Sequence, residues 1–363
     1  MHYHIILTER CNLKCKYCYE KSMKEFENGL EEKWDFDNET PFDNEVDIDK
    51  IKKLLKKEDV LIFYGGEPLV KIDKMIEIMD SLEGKSVKFY IQTNGIFLDK
   101  IPEKYLRRLS KMLVSVDGTK ARDNENKGSF HYDKIIDNLK KIREKGFQGE
   151  IVARMVVTPP HTDIYEQVMA ILGLGLFDSI HWQIDAGFYK FDFDKEKFEE
   201  FVKNYNDSIS KLLDFWIEEI KKGNVLKIYP FLGILNRIRS WDEEKGLPCG
   251  AGYGNFTITT NGNLSACPIM NSVKNFYCGD VEKGVEKNIK IEDEACDVCE
   301  VKDICGGRCL YWRDAKLWPK EGDELICDTI KHLINEIKEK TKNLDLKKED
   351  FEYERYFGPE IIP

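Results

Sequence analysis

The sequence lacks the features that would place it at a membrane or on a nucleic acid. No apolar run approaches the ~20 residues of a bilayer-spanning helix, and no secretion-signal pattern opens the chain. No cluster of lysine and arginine stands out, and the formal net charge is -11, which disfavours binding to phosphate backbones or anionic lipid. We therefore expect a cytoplasmic protein with no membrane or nucleic-acid partner.

The 11 cysteines point in another direction. Thiols stay reduced in the cytoplasm, so a disulfide framework is not expected, and an odd number in a chain of 363 residues argues the same way. Their grouping favours metal binding, because one group lies within residues 11–18 and the other within residues 249–327.

Short β-rich runs alternate with amphipathic helical segments up to about residue 190. This alternation is typical of βα units, in which each helix carries the chain between two parallel strands. The sequence therefore predicts an α/β fold, a partial (β/α)6 TIM-like barrel. The predicted strands are 3–8, 60–64, 87–92, 112–116, 151–157 and 180–184, and the predicted helices include 72–82, 132–145 and 164–172.

Changes in amino-acid composition along the chain predict four units. Residues 24–49 are acidic and poor in apolar side chains, which favours a solvated insertion, with a lid over a substrate as the alternative. The units are 1–190 for the barrel including that insertion, 191–245 for a helical bridge, 246–330 for a small metal-stapled domain, and 331–363 for a C-terminal helix and tail.

Local patterns add detail to the later units. We expect bridge helices over 195–222 and 231–241, with Pro230 between them, and a polar helix over 329–341. An Asn-Gly pair ending at Gly262 predicts a β-hairpin turn that holds Cys267 on the returning strand.

Cys11, Cys15 and Cys18 form a Cys-x3-Cys-x2-Cys loop directly after the first predicted strand. A four-iron cubane normally takes four cysteines, so a loop with three either borrows a distant ligand or leaves one iron open to a small molecule. Zinc is the alternative, and it also needs a fourth ligand.

Glycine-rich and polar turns follow the next three strands. They are Gly65-Gly66-Glu67-Pro68, Asn94-Gly95, and the segment from Ser115 to Asp117. The carboxyl ends of parallel barrel strands lie on one face, where ligands bind, and paired glycines let a backbone approach a ligand closely. We expect a binding face beside the cysteine loop.

The cysteine loop, with Tyr17 before its last cysteine, and the Gly-Gly-Glu-Pro turn together resemble the radical S-adenosylmethionine (SAM) superfamily over residues 1–190. The resemblance implies a [4Fe–4S] cluster on the three cysteines, whose open iron chelates SAM. It also implies that the Gly65 turn holds the methionyl amine and that Arg154 meets the carboxylate. The implied SAM contacts are Tyr17, Tyr19, Gly65, Gly66, Glu67, Pro68, Asn94, Ser115, Asp117 and Arg154.

The later cysteines, with Gly262 five residues before Cys267, resemble the SPASM extension of peptide- and protein-modifying radical SAM enzymes over residues 249–327. The resemblance implies two auxiliary clusters and hence three [4Fe–4S] clusters in all. The implied ligands are Cys249, Cys267 and Cys309 for the first auxiliary cluster, and Cys296, Cys299, Cys305 and Cys327 for the second.

The fullest form of the SPASM pattern has one more cysteine between the positions of Cys249 and Cys267, and this chain has none there. Cys278 either completes the first auxiliary cluster, which we favour slightly, or an iron stays open to substrate. A zinc ribbon on Cys296, Cys299, Cys305 and Cys309 is the alternative for this region.

The resemblance implies reductive cleavage of SAM to a 5′-deoxyadenosyl radical, with electrons from a low-potential donor such as ferredoxin or flavodoxin. We expect oxidation or crosslinking of a peptide or protein side chain, with Asp185 and Gln183 as candidates for a base or substrate contact. No leader-binding domain is evident, so residues 24–49, the tail or a separate protein would hold the substrate. The alternatives are a sulfatase-maturase-like enzyme, a radical SAM oxidase of a small metabolite, and a multi-cluster electron carrier without turnover.

Overall fold

The structure is a computed structural model that describes residues 1–18, 29–159, 161–185, 190, 193–242, 246–352 and 362–363. Each of the six predicted barrel strands is confirmed, with ends that move by a few residues. The strands are β1 His2–Thr8, β2 Val60–Gly65, β3 Lys88–Thr93, β4 Leu109–Ser115, β5 Glu150–Val157, β6 Ser179–Ile184, β7 Asn255–Ile258, β8 Asn263–Ser265, β9 Tyr277–Asp280 and β10 Gly284–Val285.

All ten strands belong to one sheet, in the order β10-β9-β8-β7-β1-β2-β3-β4-β5-β6. The six barrel strands pair in parallel in sequence order, so their carboxyl ends lie on one face. The register places Ser115 beside Arg154, and Arg154 beside His181. The α/β partial barrel is confirmed, and its carboxyl face collects the turns that the sequence singled out.

The cysteine-rich region continues the same sheet. Its first strand, β7, pairs in parallel with β1 and then in antiparallel with β8, through the predicted turn at Gly262, whose φ is +94°. The predicted place of Cys267 is wrong by two residues, because β8 ends at Ser265 and Cys267 precedes the short turn Pro268–Met270. One hydrophobic core spans Ile5, Phe63, Phe256 and other residues of both regions, so neither region buries its apolar surface alone.

The helices cover the outer face of the sheet and the cysteine-rich region. They are Leu30–Lys33, Ile48–Leu54, Ile72–Ser81, Glu103–Leu106, Lys120–Lys127, His131–Glu144, Ile164–Leu174, Lys195–Lys221, Tyr229–Ile238, Glu294–Asp297, Lys302–Cys305, Leu310–Ala315 and Lys320–Thr341.

Two helix predictions need correction. Pro230 lies in the first turn of Tyr229–Ile238 rather than before it, a position where its missing N–H costs nothing. The predicted polar helix 329–341 begins earlier, at Lys320, and buries Ile326, Leu333 and other side chains. Cys327 therefore lies within a helix. None of the helices in the described ranges combines the length and apolar character of a membrane span.

In the described part of the predicted insertion, residues 29–49, the acidic side chains are exposed or half-buried, whereas Leu30, Trp34 and Val46 are buried. Trp34 is only 4% exposed, and its ring packs against Phe276 and Tyr311 at centroid distances of 5.6 and 5.8 Å. Its indole N–H donates to Asp314 Oδ1 at 2.7 Å. The segment therefore ties the barrel to the cysteine-rich region. Residues 24–28 lie outside the described residues, and the predicted unit boundaries stay predictions.

Candidate active site

A cleft of about 200 Å³ opens at the carboxyl ends of the barrel strands. Ile269, from the cysteine-rich region, forms one side. The lining includes Cys11, Cys15, Tyr17, Cys18, Gly65, Gly66, Asn94, Ser115, Arg154, Gln183 and Asp185. The structure thus brings together most of the residues for which the sequence predicts a role in binding SAM or substrate.

Three predicted SAM contacts do not line the cleft. Glu67, Pro68 and Asp117 are buried and hold the surrounding loops instead. Tyr19 lies outside the described residues.

Hydrogen bonds from neighbouring strand ends hold the cysteine loop. Asn94 donates through its side-chain amide to Asn12 Oδ1 at 2.8 Å, and the hydroxyl of Tyr17 donates to Asp117 Oδ2 at 2.8 Å. The backbone N–H of Lys16 donates to a carbonyl of the helix Lys120–Lys127 at 3.0 Å. These contacts involve no metal, so the loop is positioned by the protein itself.

The glycine pair is required by the packing of one loop on another. A Cβ on Gly65 would lie 2.1 Å from the carbonyl oxygen of Thr8, and one on Gly66 would lie 2.6 Å from that of Glu9. Gly65 also has a φ of +141°, which other residues rarely adopt. The turn after β2 therefore rests directly on the start of the cysteine loop.

Glu67 joins the turns after β2 and β3. Its Oε1 accepts from the N–H of Leu69 at 3.0 Å and the hydroxyl of Thr93 at 2.7 Å, and its Oε2 accepts from the N–H of Asn94 at 2.7 Å. Burial raises the pKa of this carboxyl to about 7, against the opposing effect of these hydrogen bonds. Glu67 therefore links the turn after β2 to Asn94 of the cleft, and its part in holding SAM stays a prediction.

Asp117 is the centre of a buried polar network. Besides Tyr17, its carboxylate accepts from Asn126 at 3.0 Å, from the ammonium of Lys127 at 2.5 Å, and from the N–H of Val156 at 3.0 Å. Four donors occupy this carboxylate, so it supports the wall of the cleft and the cysteine loop, and its implied contact with SAM stays a prediction.

The sequence reading missed the rest of that network. Lys127 also donates to Asp123 Oδ1 at 2.8 Å, and His131 bridges Asp123 Oδ2 at 2.5 Å and the carbonyl of Asn94 at 2.9 Å. Lys127 and Tyr17 further interact as cation and ring at 5.6 Å. The helix Lys120–Lys127 carries almost no apolar side chains, yet it buries Asp123, Asn126 and Lys127, which is why they pair with one another and with Asp117.

Arg154 presents its guanidinium to the cleft, and β6 fixes its orientation. Its Nη1 lies 2.7 Å from Nδ1 of His181, and its Nη2 donates to Oε1 of Gln183 at 2.5 Å. Because arginine only donates, His181 accepts at Nδ1 and is a neutral imidazole, and burial holds its pKa well below the usual range. His181 was assigned no role from the sequence.

Burial favours the neutral, protonated form of the thiols of the loop. Burial raises the pKa of Cys11 to about 11 and that of Cys15 to about 12, although Lys127 opposes the shift at Cys15. A bound metal removes such a proton, because its charge stabilises the thiolate. A single zinc ion needs ligand atoms at about 2.3 Å from one point. No group of three or more cysteine, histidine or carboxylate side chains is arranged that way in the described ranges.

Three of the four candidate cysteines for the first auxiliary cluster are neighbours. Cys267 is buried, and the pKa of its thiol is raised by burial and by the nearby Cys309 and Cys249. Cys278 is different: its thiol donates to the carbonyl of Phe276 at 3.5 Å, and the charged group that acts on its pKa is Lys287. Neither interaction links Cys278 to the other three cysteines.

The second set of cysteines lines a separate cavity of about 690 Å³. All four predicted ligands reach it: Cys296, Cys299, Cys305 and Cys327. The guanidinium of Arg313 donates to Sγ of Cys327 at 3.0 Å and would neutralise part of a thiolate charge there.

Comparison with known proteins agrees with this geometry. A family model described as Radical SAM superfamily matches residues 5–172. The chain is 24% identical over 370 residues to the radical SAM cyclopropyl synthase TigE of Paramaledivibacter caminithermalis, covering 94% of this chain and 74% of that protein. It is 24% identical over 345 residues to a cysteine-type anaerobic sulfatase-maturating enzyme of Clostridium perfringens, covering 84% of this chain and 87% of that enzyme.

Solved structures share the fold. The structure described as native anSMEcpe with bound AdoMet superposes with a TM-score of 0.68 at 19% identity, over 94% of this chain and 99% of that one. SuiB of Streptococcus suis bound to S-adenosylmethionine gives 0.56 at 16% identity, over 85% and 72%. With the family match over residues 5–172 and the cysteine loop at the cleft, this part of the chain is a radical SAM domain.

Proposed function

We propose that the enzyme modifies a side chain of a peptide or protein, by oxidation or crosslinking, with three [4Fe–4S] clusters and SAM. The observation that carries the proposal is the arrangement of ten cysteines in three sets. One set lies at the cleft, and two lie in the region that supplies the cleft wall at Ile269.

Each set has a distinct assignment. Cys11, Cys15 and Cys18 would hold the cluster that binds SAM, and Cys249, Cys267 and Cys309 would hold the first auxiliary cluster. The second would be held by the four cysteines of the 690 Å³ cavity. Because the thiol of Cys278 interacts with Phe276 and Lys287, the first auxiliary cluster would keep an iron without a cysteine ligand from these residues.

SAM and its cluster, when bound, supply a 5′-deoxyadenosyl radical that takes a hydrogen atom from a substrate C–H bond. Such a radical attacks most C–H bonds, so the residues of the cleft must exclude water and orient the substrate. Arg154, held by His181 and Gln183, would bind the SAM carboxylate. Asn94 holds the edge of the cysteine loop through its hydrogen bond to Asn12. Asp185 at the cleft margin is a candidate base.

The relatives support a peptide or protein substrate. Relatives whose names refer to a peptide or protein include the sulfatase-maturating enzyme, anSMEcpe with a bound Cp18Cys peptide, and SuiB bound to the precursor peptide SuiA. A sulfatase-maturase-like reaction is the second candidate, favoured by coverage of 94% of this chain and 99% of the anSMEcpe chain. We also propose a low-potential donor such as ferredoxin or flavodoxin. The radical SAM domain disfavours the electron-carrier alternative.

Anaerobic reconstitution followed by iron analysis and turnover tests the proposal. Three cubanes predict roughly twelve irons per chain. Deoxyadenosine formation with SAM and dithionite, and a mass change in candidate peptides, are the readouts for chemistry. A cysteine-containing sulfatase peptide separates the second candidate from the first. Iron for one cluster only, in a protein that still cleaves SAM, would overturn the three-cluster proposal.

A further inference from the structure

A second, smaller cavity adjoins the cleft. Gln183, Ile184 and Ile269 line both spaces, so the two cavities are direct neighbours. The far side of the second space includes Arg308, Cys309, Tyr311 and Trp312. It therefore lies between the SAM cleft and the cysteines proposed for the first auxiliary cluster. We call it the Arg308 cavity.

The size of the cleft makes this neighbour important. Ligand pockets commonly measure about 300–1,000 Å³. A cleft of about 200 Å³ that takes SAM leaves little room for more than one substrate residue. The residues next to the modified one in a peptide must lie outside it, and the Arg308 cavity is directly beside it.

The chain already fills this cavity with a short piece of itself. Ile362 is 3% exposed, and both Ile362 and Pro363 are buried against its wall. The remaining space is about 40 Å³, enough for only about three waters at ~10–15 Å³ each. No further side chain fits while these two residues are in place.

Arg308 holds the piece by its main chain. Its Nε donates to the main-chain oxygen of Pro363 at 3.0 Å, and its Nη2 donates to the carbonyl of Ile184 at 3.2 Å. Its guanidinium also lies over the ring of Trp312, 5.2 Å from the centroid. Its backbone φ of +64° is unusual for a side chain of this type. An apolar residue of a peptide would fit here. Its side chain would pack against the apolar wall, and Arg308 would donate to its main-chain oxygen.

We infer that the Arg308 cavity is a peptide-binding subsite, which takes an aliphatic residue or proline of the substrate and binds its main-chain carbonyl through Arg308. Ile362 and Pro363 occupy it until the substrate displaces them. The inference rests on the proposed function, since it assigns part of the peptide substrate to a place beside the SAM cleft.

The test uses the hexapeptide Gly-Pro-Glu-Ile-Ile-Pro, the sequence of residues 358–363, labelled for fluorescence anisotropy with the reconstituted protein. A variant that stops after Glu352 should bind it at least ~10-fold more tightly than the full chain, whose own segment competes. Arg308→Gln in the shortened variant should weaken binding ~10-fold or more, as for hydrogen bonds to charged groups. Arg239→Gln is the matched control, because Arg239 also donates to main-chain carbonyls, of Thr341 and Leu344.

Two further variants keep the result clear. Ile362→Asp in the full chain should raise peptide affinity without shortening it, and replacing the second isoleucine of the hexapeptide by aspartate should abolish binding. Iron content must match the wild type, because Arg308 adjoins Cys309; if Arg308→Gln loses iron, Arg308→Lys replaces it.

The inference is overturned if the shortened variant and the full chain bind equally, if neither binds, or if Arg308→Gln and Arg239→Gln behave alike. Binding needs no SAM. If the enzyme modifies a peptide but does not bind the hexapeptide, only the subsite is ruled out. If it binds the hexapeptide but modifies no peptide, only the proposed function is ruled out.

Discussion

The barrel and the cysteine-rich region hold their cysteines in different ways. In the barrel, the loop of Cys11 to Cys18 is fixed by hydrogen bonds from Asn94 and the Asp117 network, on strands that are buried. In the other region, Cys296, Cys299 and Cys305 lie on or beside the four-residue helices Glu294–Asp297 and Lys302–Cys305, neither of which buries a residue. From this difference we expect the barrel site to be prebuilt without metal and the short helices to depend on their metal.

The largest expected difference is in SAM cleavage. Cys15→Ala should reduce deoxyadenosine formation to background, because it removes a ligand of the SAM-binding cluster. Cys299→Ala should keep slow uncoupled SAM cleavage and lose product formation. Each should lose about four of roughly twelve irons. Deoxyadenosine and iron assays check both, and equal loss of SAM cleavage in the two variants would contradict the comparison.

Within the cysteine-rich region, replacing Cys309 and replacing Cys278 should have different effects on iron content. Cys309→Ala should lose about four irons, and Cys278→Ala should lose none, because only Cys309 lies beside Cys267. Iron analysis with Mössbauer spectroscopy distinguishes them. Equal iron loss in the two variants would mean that Cys278 is also a ligand of the first auxiliary cluster.

Asp117→Asn tests whether the barrel site is prebuilt. The change leaves Lys127 with a weaker buried partner, although Asp123 remains, so we expect a loss of about 3 kcal/mol in the free energy of unfolding of the metal-free protein. Urea denaturation measures it. Asp133→Asn, in an exposed pair with Lys120, is the control and should cost under about 0.5 kcal/mol. Similar losses in both variants would mean that the network contributes little.

The smallest effect tests the seam between the two regions. His4 on β1 hydrogen-bonds Asn255 on β7 at 2.9 Å, and burial lowers its pKa to about 4, with Arg154 acting in the same direction. The unfolded chain binds a proton near pH 6.5 and the folded chain only near pH 4. This contribution to stability is therefore full above pH 6.5 and is lost as the pH falls through 4.

His4→Gln should remove that dependence. Between pH 7 and 4.5, the wild type should lose about 2–3 kcal/mol more than the variant in the free energy of unfolding of the metal-free protein. Parallel curves for the two proteins would mean that the pKa of His4 is the same in the folded and the unfolded state.

Much of the barrel and of the candidate site could be predicted from the sequence. The strands were identified because apolar runs of fixed length and their turns are local patterns, and the cysteine spacings are local too. The hairpin at Gly262 was found for the same reason. Its continuation into the barrel sheet, by β7 against β1, was not, since pairing between distant strands has no local signal.

The sequence by itself determined the cysteine sets, the glycine turn and the α/β order, because each is written in neighbouring residues. Only the tertiary structure decided which polar groups are buried. It moved Glu67 and Asp117 behind the cleft wall, recruited His131, grouped Cys309 rather than Cys278 with Cys267, and seated Ile362 beside Arg308. Those contacts form between segments that are distant in the sequence. A buried charge has lost its water and needs a partner, so the tertiary structure decides which groups pair.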